Sequence, residues 1–144
     1  MAGFLLDANV LIALAWPTHV SHAVAHRWFD KYAQKGWATC PLTECAFVRV
    51  ISNPAFSSDA LTPHGAIELL TANRKHPAHL FWSDSIPLAQ ALGHIDRKLT
   101  GHQRVTDAYL LGLAIQHKGK LATLDHGVGS LINNTSDAVE LIAN

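Results

Sequence analysis

The chain has 144 residues, of which 49% are hydrophobic and 15% charged, so it can fill a buried core and is not a disordered chain. Its 11 Lys and Arg residues balance 11 Asp and Glu residues, which excludes binding of nucleic acid through bulk positive charge. Any function must therefore depend on where the charges lie, and the length predicts a single domain over residues 1–144.

Hydrophobic patterning predicts strands that alternate with helices along the whole chain. In chain order the predicted elements are a strand at 3–6, helices at 10–15 and 21–34, a strand at 37–40, helices at 41–51 and 66–73, a strand at 80–82, helices at 87–92 and 106–117, and strands at 121–124 and 138–142. Strands separated by helices are typical of a parallel sheet with helices on both faces. The expected fold class is therefore α/β.

The helix at residues 21–34 is expected to present two different faces. Its apolar face consists of residues four apart, namely Val20, Val24, Trp28 and Tyr32. His19, His22 and His26 share another face, which we expect to be exposed. The alternative for the pair at spacing four, His22 and His26, is a transition-metal site.

The cysteines and the N-terminal stretch both favour a cytoplasmic protein. Cys40 and Cys45 are too far apart in sequence for a Cys-x-x-Cys motif, and we expect reduced thiols buried as small hydrophobic groups. The apolar N-terminal stretch has no basic leader and is interrupted by Asp7 and Asn9. Neither a signal peptide nor a membrane span is expected from it.

Four acidic residues are expected at one edge of the predicted sheet, each in an apolar context. Asp7 follows the first strand, Glu44 lies in the first helical turn after the second, Asp125 follows the fourth, and Asp107 begins the helix that leads to the fourth. Each one alone could be a helix cap or a turn residue. Together they favour a site for a hard cation such as Mg²⁺ or Mn²⁺, which activates water and stabilises charge on a phosphoryl group.

These acids stand in four motifs, LLDANVLIAL from Leu5, LTE ending at Glu44, TDAYLLGLA from Thr106 and LATLD ending at Asp125. In this order and spacing the chain resembles the PIN-domain ribonucleases, in particular the VapC-type toxins of toxin–antitoxin pairs, over essentially its whole length. The resemblance implies a three-layer α/β/α fold with a mainly parallel sheet of four to five strands. It also implies an endoribonuclease that depends on Mg²⁺ or Mn²⁺, with one or two ions per site.

The resemblance places the family's site on particular residues. The metal ligands and catalytic acids it implies are Asp7, Glu44, Asp107 and Asp125. Within this set we expect Asp125 to be an outer ligand or the group that orients water. Polar positions that assist the site fall on Asn9 and Thr123. The family further implies a homodimer and a cognate VapB-type antitoxin that inserts a segment to block the site.

The segment before Asp107 is basic and is a candidate for contact with RNA phosphates. Its candidate contacts are Arg97, Lys98, His102 and Arg104. The alternative is an ordinary solvated loop. Trp16 and Trp82 could stack on bases, but we expect both to pack in the core.

Two other classes of α/β protein fit the sequence less well. A receiver-like signalling domain needs an acidic pair and a late lysine, and no Asp-Asp pair occurs here. A phosphatase of the Asp-x-Asp type needs a second acid where Asn9 stands. A PIN-like module that binds RNA or protein without catalysis remains the alternative to an enzyme.

Overall fold

The computed structural model of the chain describes residues 2–95, 99, 101–132 and 137–143. Its strands and α-helices are β1 (Phe4–Leu6), α1 (Ala8–Ala15), α2 (His22–Tyr32), β2 (Trp37–Thr39), α3 (Pro41–Ile51), α4 (Pro63–Asn73), β3 (His79–Phe81), α5 (Leu88–Leu92), α6 (Val105–Gln116), β4 (Lys120–Thr123) and β5 (Val139–Leu141). Short 3₁₀ helices cover Ala33–Lys35, His102–Arg104 and His126–Leu131. The predicted order of strands and helices is confirmed.

The five strands form one sheet in the order β3-β2-β1-β4-β5, and every neighbouring pair is parallel. The central strand β1 aligns Phe4 with Trp37 of β2 on one side and with Lys120 of β4 on the other. The strand order changes direction between β1 and β4. Ligands of such sheets bind beyond the carboxyl ends of the strands at this point of reversal.

Helices cover both faces of the sheet, which gives the predicted three layers. Successive residues of β1 point to opposite faces. Leu5 belongs to a core cluster that includes Leu111 of α6. Phe4 and Leu6 belong to a second cluster, which includes Phe47 of α3. The short strand therefore reads as a continuous apolar run because both of its faces are buried.

The predicted apolar face of α2 is wrong at its first position. Val20 is 96% exposed, because α2 begins only at His22 and Val20 lies in the turn before it. Val24 and Tyr32 are partly buried, and Trp28 lies in the core.

The predicted exposed histidine face is also wrong, because two of its rings contact α1. His22 Nδ1 lies 2.7 Å from the carbonyl oxygen of Ala13, and His26 Nε2 lies 2.9 Å from that of Leu14. These carbonyls belong to the last turn of α1, where backbone acceptors lack partners within the helix. The two histidines therefore stabilise the end of α1.

Several predictions of burial can be compared directly with the structure. Cys40 is buried as expected, whereas Cys45 is exposed, so the prediction is wrong for that thiol. Trp82 lies in the core, stacked on His117 with ring centroids 4.3 Å apart, and Trp16 packs edge-on against Phe56. None of the described helices has both the length and the apolar character that a membrane span requires.

Candidate active site

The carboxyl ends of β1 and β4 bring two of the predicted acids to the point where the strand order reverses. Asp7 directly follows β1, and Asp125 lies two residues beyond the end of β4. Asp107 lies in the first turn of α6, the helix that packs beneath this edge and leads into β4. Parallel pairing of β1 and β4 brings Asp7 and Asp125 to the same edge of the sheet, and the first turn of α6 brings Asp107 to them.

Asp7 is 8% exposed, and both of its carboxylate oxygens accept hydrogen bonds. The backbone N–H of Ala8 donates to Oδ1 at 2.8 Å, so that Asp7 caps α1, and Thr123 Oγ1 donates to Oδ2 at 2.8 Å. The side chain of Asn9 bridges to the same strand end, because its Nδ2 donates to Thr123 Oγ1 and its Oδ1 accepts from the N–H of Leu124. These contacts give Asn9 and Thr123 the positions beside Asp7 that the sequence predicts for them.

The pKa of Asp7 is raised above its usual value of 3.8. The largest cause is burial, which disfavours the charged carboxylate, and the negative charges of Asp107 and Asp125 add to it. The hydrogen bonds from Thr123 and Ala8 act in the opposite direction. Asp107 and Asp125 therefore lie close enough to Asp7 to repel its charge, and a cation at this edge would relieve that repulsion.

Arg104 supplies a positive charge to this edge. Its Nη1 donates to Asp107 Oδ2 at 2.9 Å and to Asp125 Oδ2 at 2.6 Å. The contact with Arg104 is the main reason that the pKa of Asp125 is lowered. The backbone N–H of Gly127 also donates to Asp125 Oδ1 at 2.8 Å. The sequence assigns Arg104 to RNA contact, whereas the structure places its guanidinium against two of the acids.

Glu44 belongs to a second network, at the end of the neighbouring strand β2. Thr39 Oγ1 donates to Glu44 Oε2 at 2.7 Å, and Arg74 Nε lies 3.5 Å from the same oxygen. The ring nitrogen Nε2 of His79 lies 2.8 Å from Thr39 Oγ1. Since the single hydroxyl proton of Thr39 goes to Glu44, His79 must donate from Nε2. The carboxylate of Glu44 thus contacts Thr39 of β2 and Arg74, which directly follows α4, while His79 of β3 contacts Thr39.

Some residues of this edge were not found from the sequence. Thr39 is fully buried at the last position of β2, and a buried hydroxyl at a strand end was the signal that could have indicated it. Asp84 follows β3 at the same edge, and its charge helps to raise the pKa of Cys40 and of Tyr109. The rule that led to Asp7 and Asp125, applied to the third strand, would have included Asp84. No sequence pattern could have indicated Arg74, because cationic residues are common near the ends of helices.

The predicted RNA contacts have different outcomes. Arg97 and Lys98 lie outside the described residues. His102 is exposed at the start of the 3₁₀ helix His102–Arg104, directly before α6. RNA contact by any of these residues stays a prediction.

Within the described part of the chain, no three His, Cys, Asp or Glu side chains stand in an arrangement that could hold a metal ion. In this structure Asp7 accepts two hydrogen bonds, and Arg104 contacts Oδ2 of both Asp107 and Asp125. The ligand atoms that these acids offer to a metal are all carboxylate oxygens, which Mg²⁺ and Mn²⁺ prefer. The residues therefore fit a hard divalent cation, provided that Arg104 moves from the acids.

Comparison with known proteins gives close relatives. The family model of the PIN domain matches residues 4–131. Ribonuclease VapC39 of Mycobacterium tuberculosis is 45% identical over 121 residues, which cover 84% of this chain and 87% of that protein. Ribonuclease VapC38 of the same organism is 42% identical over 127 residues, covering 88% of each protein.

Solved structures with low sequence identity share the fold. The crystal structure of VapC20 from M. tuberculosis, a sarcin-ricin loop cleaving toxin, superimposes with a TM-score of 0.63 at 13% identity and covers 89% of this chain and 94% of that one. A chain of VapBC2 from Rickettsia felis, bound to a promoter DNA fragment, gives a TM-score of 0.64 at 10% identity and 96% coverage of both chains. The family model and the relatives at 42–45% identity show that the chain belongs to the PIN-domain family and, within it, to the VapC-type ribonucleases, and the solved structures share its fold.

Proposed function

We propose that this protein is a divalent-metal-dependent endoribonuclease and the toxin of a VapBC-type pair, with its activity carried by a single domain over residues 1–144. The observation that supports the metal site is the position of Asp7, which is buried directly after β1 and lies near enough to Asp107 and Asp125 for their charges to act on it. A buried acid facing two further acids costs free energy unless a cation compensates it. The named relatives at 42–45% identity are ribonucleases, which supports RNA as the substrate.

Each acid has a proposed part in holding Mg²⁺ or Mn²⁺. Asp7 and Asp107 are ligands, with Asp125 as an outer ligand or as the group that orients water. Glu44 is a further ligand supplied from α3. Such a cation supplies charge neutralisation at the phosphoryl group and lowers the pKa of water.

Hydrogen bonds within the chain orient the proposed metal ligands. Thr123 and the N–H of Ala8 fix the orientation of Asp7, and Asn9 fixes the loop after β4 through Leu124. Thr39 and Arg74 fix Glu44. Orientation by such partners commonly changes metal affinity or activity by about 10–100-fold.

Partners and location are further parts of the proposal. The structural match to VapBC2 supports a cognate VapB-type antitoxin as the partner that blocks the site. A homodimer follows from the family resemblance. Two free cysteines suit a reducing compartment, which supports the cytoplasm. Arg97, Lys98, His102 and Arg104 are the proposed RNA contacts.

The proposal is tested by incubating the purified protein with total cellular RNA, with Mg²⁺ or Mn²⁺ and with EDTA. The wild type should cut RNA only with the divalent ion, and Asp7→Asn should lose at least about 100-fold in rate while keeping its circular dichroism spectrum. Asp30→Asn, an exposed acid of α2, makes the same chemical change away from this edge and should cut normally. Cleavage by Asp7→Asn at the wild-type rate would contradict the assignment.

The same experiment separates an enzyme from a binding module. A non-catalytic PIN-like protein would bind RNA without cutting it under any metal condition.

Glu44→Gln measures whether the second network belongs to the metal site. We expect its Mn²⁺ affinity to fall by about tenfold or more, because a charged oxygen ligand is lost while the hydrogen bond from Thr39 is kept.

A further inference from the structure

One guanidinium nitrogen of Arg104 is shared by two of the proposed metal ligands. Nη1 contacts Oδ2 of both Asp107 and Asp125, at 2.9 and 2.6 Å. Asp107 belongs to the first turn of α6 and Asp125 to the loop after β4, so Arg104 joins two elements. Its side chain is 36% exposed, so part of it stays in contact with solvent while Nη1 contacts both acids.

A glycine makes room for this guanidinium. A Cβ atom on Gly127 would lie 2.7 Å from Arg104 Cζ and closer still to Nη2. Gly127 is not among the residues with positive φ, so an alanine there meets no backbone strain, only the arginine. Gly129, in the same 3₁₀ helix, has nothing within 4 Å of its Cβ position. The fold thus leaves room for Arg104 at one glycine and provides a neighbouring glycine as a comparison.

The oxygens that Arg104 occupies are those that a divalent cation needs. A guanidinium and a divalent ion cannot both contact the same two carboxylate oxygens without strong repulsion between their charges. Binding of the metal therefore requires Arg104 to leave Asp107 and Asp125. The cost of breaking these charge-assisted hydrogen bonds is subtracted from the affinity for the metal.

We propose that Arg104, held over Gly127, is a built-in competitor of the divalent cation that weakens metal binding at the acidic site. This inference rests on the proposed function, since it assumes that Asp107 and Asp125 hold the metal. Arg104 acts here by occupying carboxylate oxygens that the metal needs, and its effect is on metal affinity before any reaction occurs.

The test is titration of the protein with Mn²⁺ alone, by isothermal calorimetry in the absence of RNA. Arg104→Gln should bind Mn²⁺ about tenfold more tightly or better, because a positive charge close to the ion is removed. Gly127→Ala should also tighten binding, by several-fold, because it displaces the guanidinium and changes no charge. Arg104→Lys should stay close to the wild type, since it keeps the positive charge.

Two variants serve as matched controls, and both should bind Mn²⁺ like the wild type. Gly129→Ala makes the same backbone change in open space, and Arg49→Gln removes the same charge from an exposed position on α3. Thermal unfolding of every variant shows that the fold is kept. Agreement between Arg104→Gln and Gly127→Ala, with both controls unchanged, supports competition.

The outcomes distinguish this inference from the proposed function. Equal or weaker Mn²⁺ binding by Arg104→Gln would overturn competition and show that Arg104 orders the carboxylates for the metal. Tightening by Gly129→Ala or Arg49→Gln as well would overturn it too, because the effect would not be specific to Arg104. A wild type that neither binds Mn²⁺ nor cuts RNA would overturn both the inference and the proposed function.

Discussion

Thr123 Oγ1 donates a hydrogen bond of 2.8 Å to Asp7 Oδ2, which ties the end of β4 to the end of the central strand β1. The same oxygen accepts from Asn9 Nδ2 at 3.3 Å and from the backbone N–H of Asp125 at 3.0 Å. One donated and two accepted bonds use the full capacity of a hydroxyl group. Thr123 is fully buried, so no water replaces any of these partners.

Replacing Thr123 by valine should therefore affect both stability and cleavage. Valine has nearly the same shape but leaves Asp7 without its hydroxyl donor and two N–H groups without an acceptor. We expect the free energy of unfolding to fall by about 1–3 kcal/mol. Cleavage should fall by about tenfold or more, because Asp7 loses the contact that orients it. Urea unfolding and an RNA cleavage assay measure the two effects.

Thr123→Ser is the control for this change, since it keeps the hydroxyl and loses only a methyl group. It should retain most of the cleavage activity. If Thr123→Val cuts RNA as fast as Thr123→Ser, the hydroxyl does not orient a functional carboxylate.

The positions of the acids could be predicted because they follow from local rules. Asp7 and Asp125 follow apolar strands, and parallel pairing brings such positions to one edge whatever the details of packing. The partner of Arg104 could not be predicted in this way. Its sequence neighbours are basic, which suggests a surface loop, and only the fold shows that Asp125 comes within reach from 21 residues away in sequence.

The error at Val20 has a similar origin. A spacing of four residues is necessary for a helix face but does not fix where the helix begins. The turn before α2 contains Pro17, and the helix starts two residues after Val20. The contacts of His22 and His26 with α1 depend on how two helices pack, which hydrophobic spacing within one helix does not report.

Thr39 offers a second test, at the site of Glu44. Its buried hydroxyl donates to Glu44 and accepts from His79, so Thr39→Val removes both interactions at once. We expect a loss of about 1–3 kcal/mol in the free energy of unfolding. Cleavage should fall by about tenfold, because Arg74 alone then holds the carboxylate.

Thr39→Ser should keep the stability and the cleavage rate of the wild type, since serine donates and accepts hydrogen bonds in the same way. Cleavage rates measured at saturating Mn²⁺ show whether Glu44 acts through metal affinity. If the cleavage rate of Thr39→Val returns to that of the wild type at high Mn²⁺ concentration, the substitution weakens metal binding. Full activity of Thr39→Val at every Mn²⁺ concentration would contradict a role for this hydrogen bond in the site.

The stack of His117 on Trp82 predicts a pH effect on stability. The planes of the two rings are nearly parallel, at 5° to each other, and burial lowers the pKa of His117 below its usual value of 6.5. As the pH falls, the unfolded chain takes up this proton before the folded chain does. The stabilising contribution is therefore present above pH 6.5 and is lost as the pH falls through the lowered pKa of the folded state.

His117→Phe keeps an aromatic ring on Trp82 but does not titrate. Relative to this variant, the wild type should lose stability as the pH falls from about 7.5 to about 5.5. The other histidines are common to both proteins, so their effects largely cancel in the difference. Urea unfolding across this pH range measures the difference in free energy of unfolding between the two proteins. A difference that stays constant with pH would contradict the lowered pKa of His117.

The proposed contact of Arg97 and Lys98 with RNA predicts a change in salt dependence. Each phosphate contact on single-stranded nucleic acid contributes about 0.7 to the slope of log affinity against log salt concentration. Replacing both residues by alanine should therefore reduce the slope by about 1.4. Binding is measured by fluorescence anisotropy in an Asp7→Asn background, so that the RNA is expected to stay intact. The matched control replaces Lys31, in the last turn of α2, and Lys35, at the end of the following 3₁₀ helix; both precede β2 and hence lie near the opposite edge of the sheet. The control changes the net charge by the same amount, so only local contact with RNA distinguishes the two double variants. An equal reduction of the slope in both would show that general charge attracts the RNA, and an unchanged slope in the Arg97 and Lys98 variant would remove this segment from the RNA-binding surface.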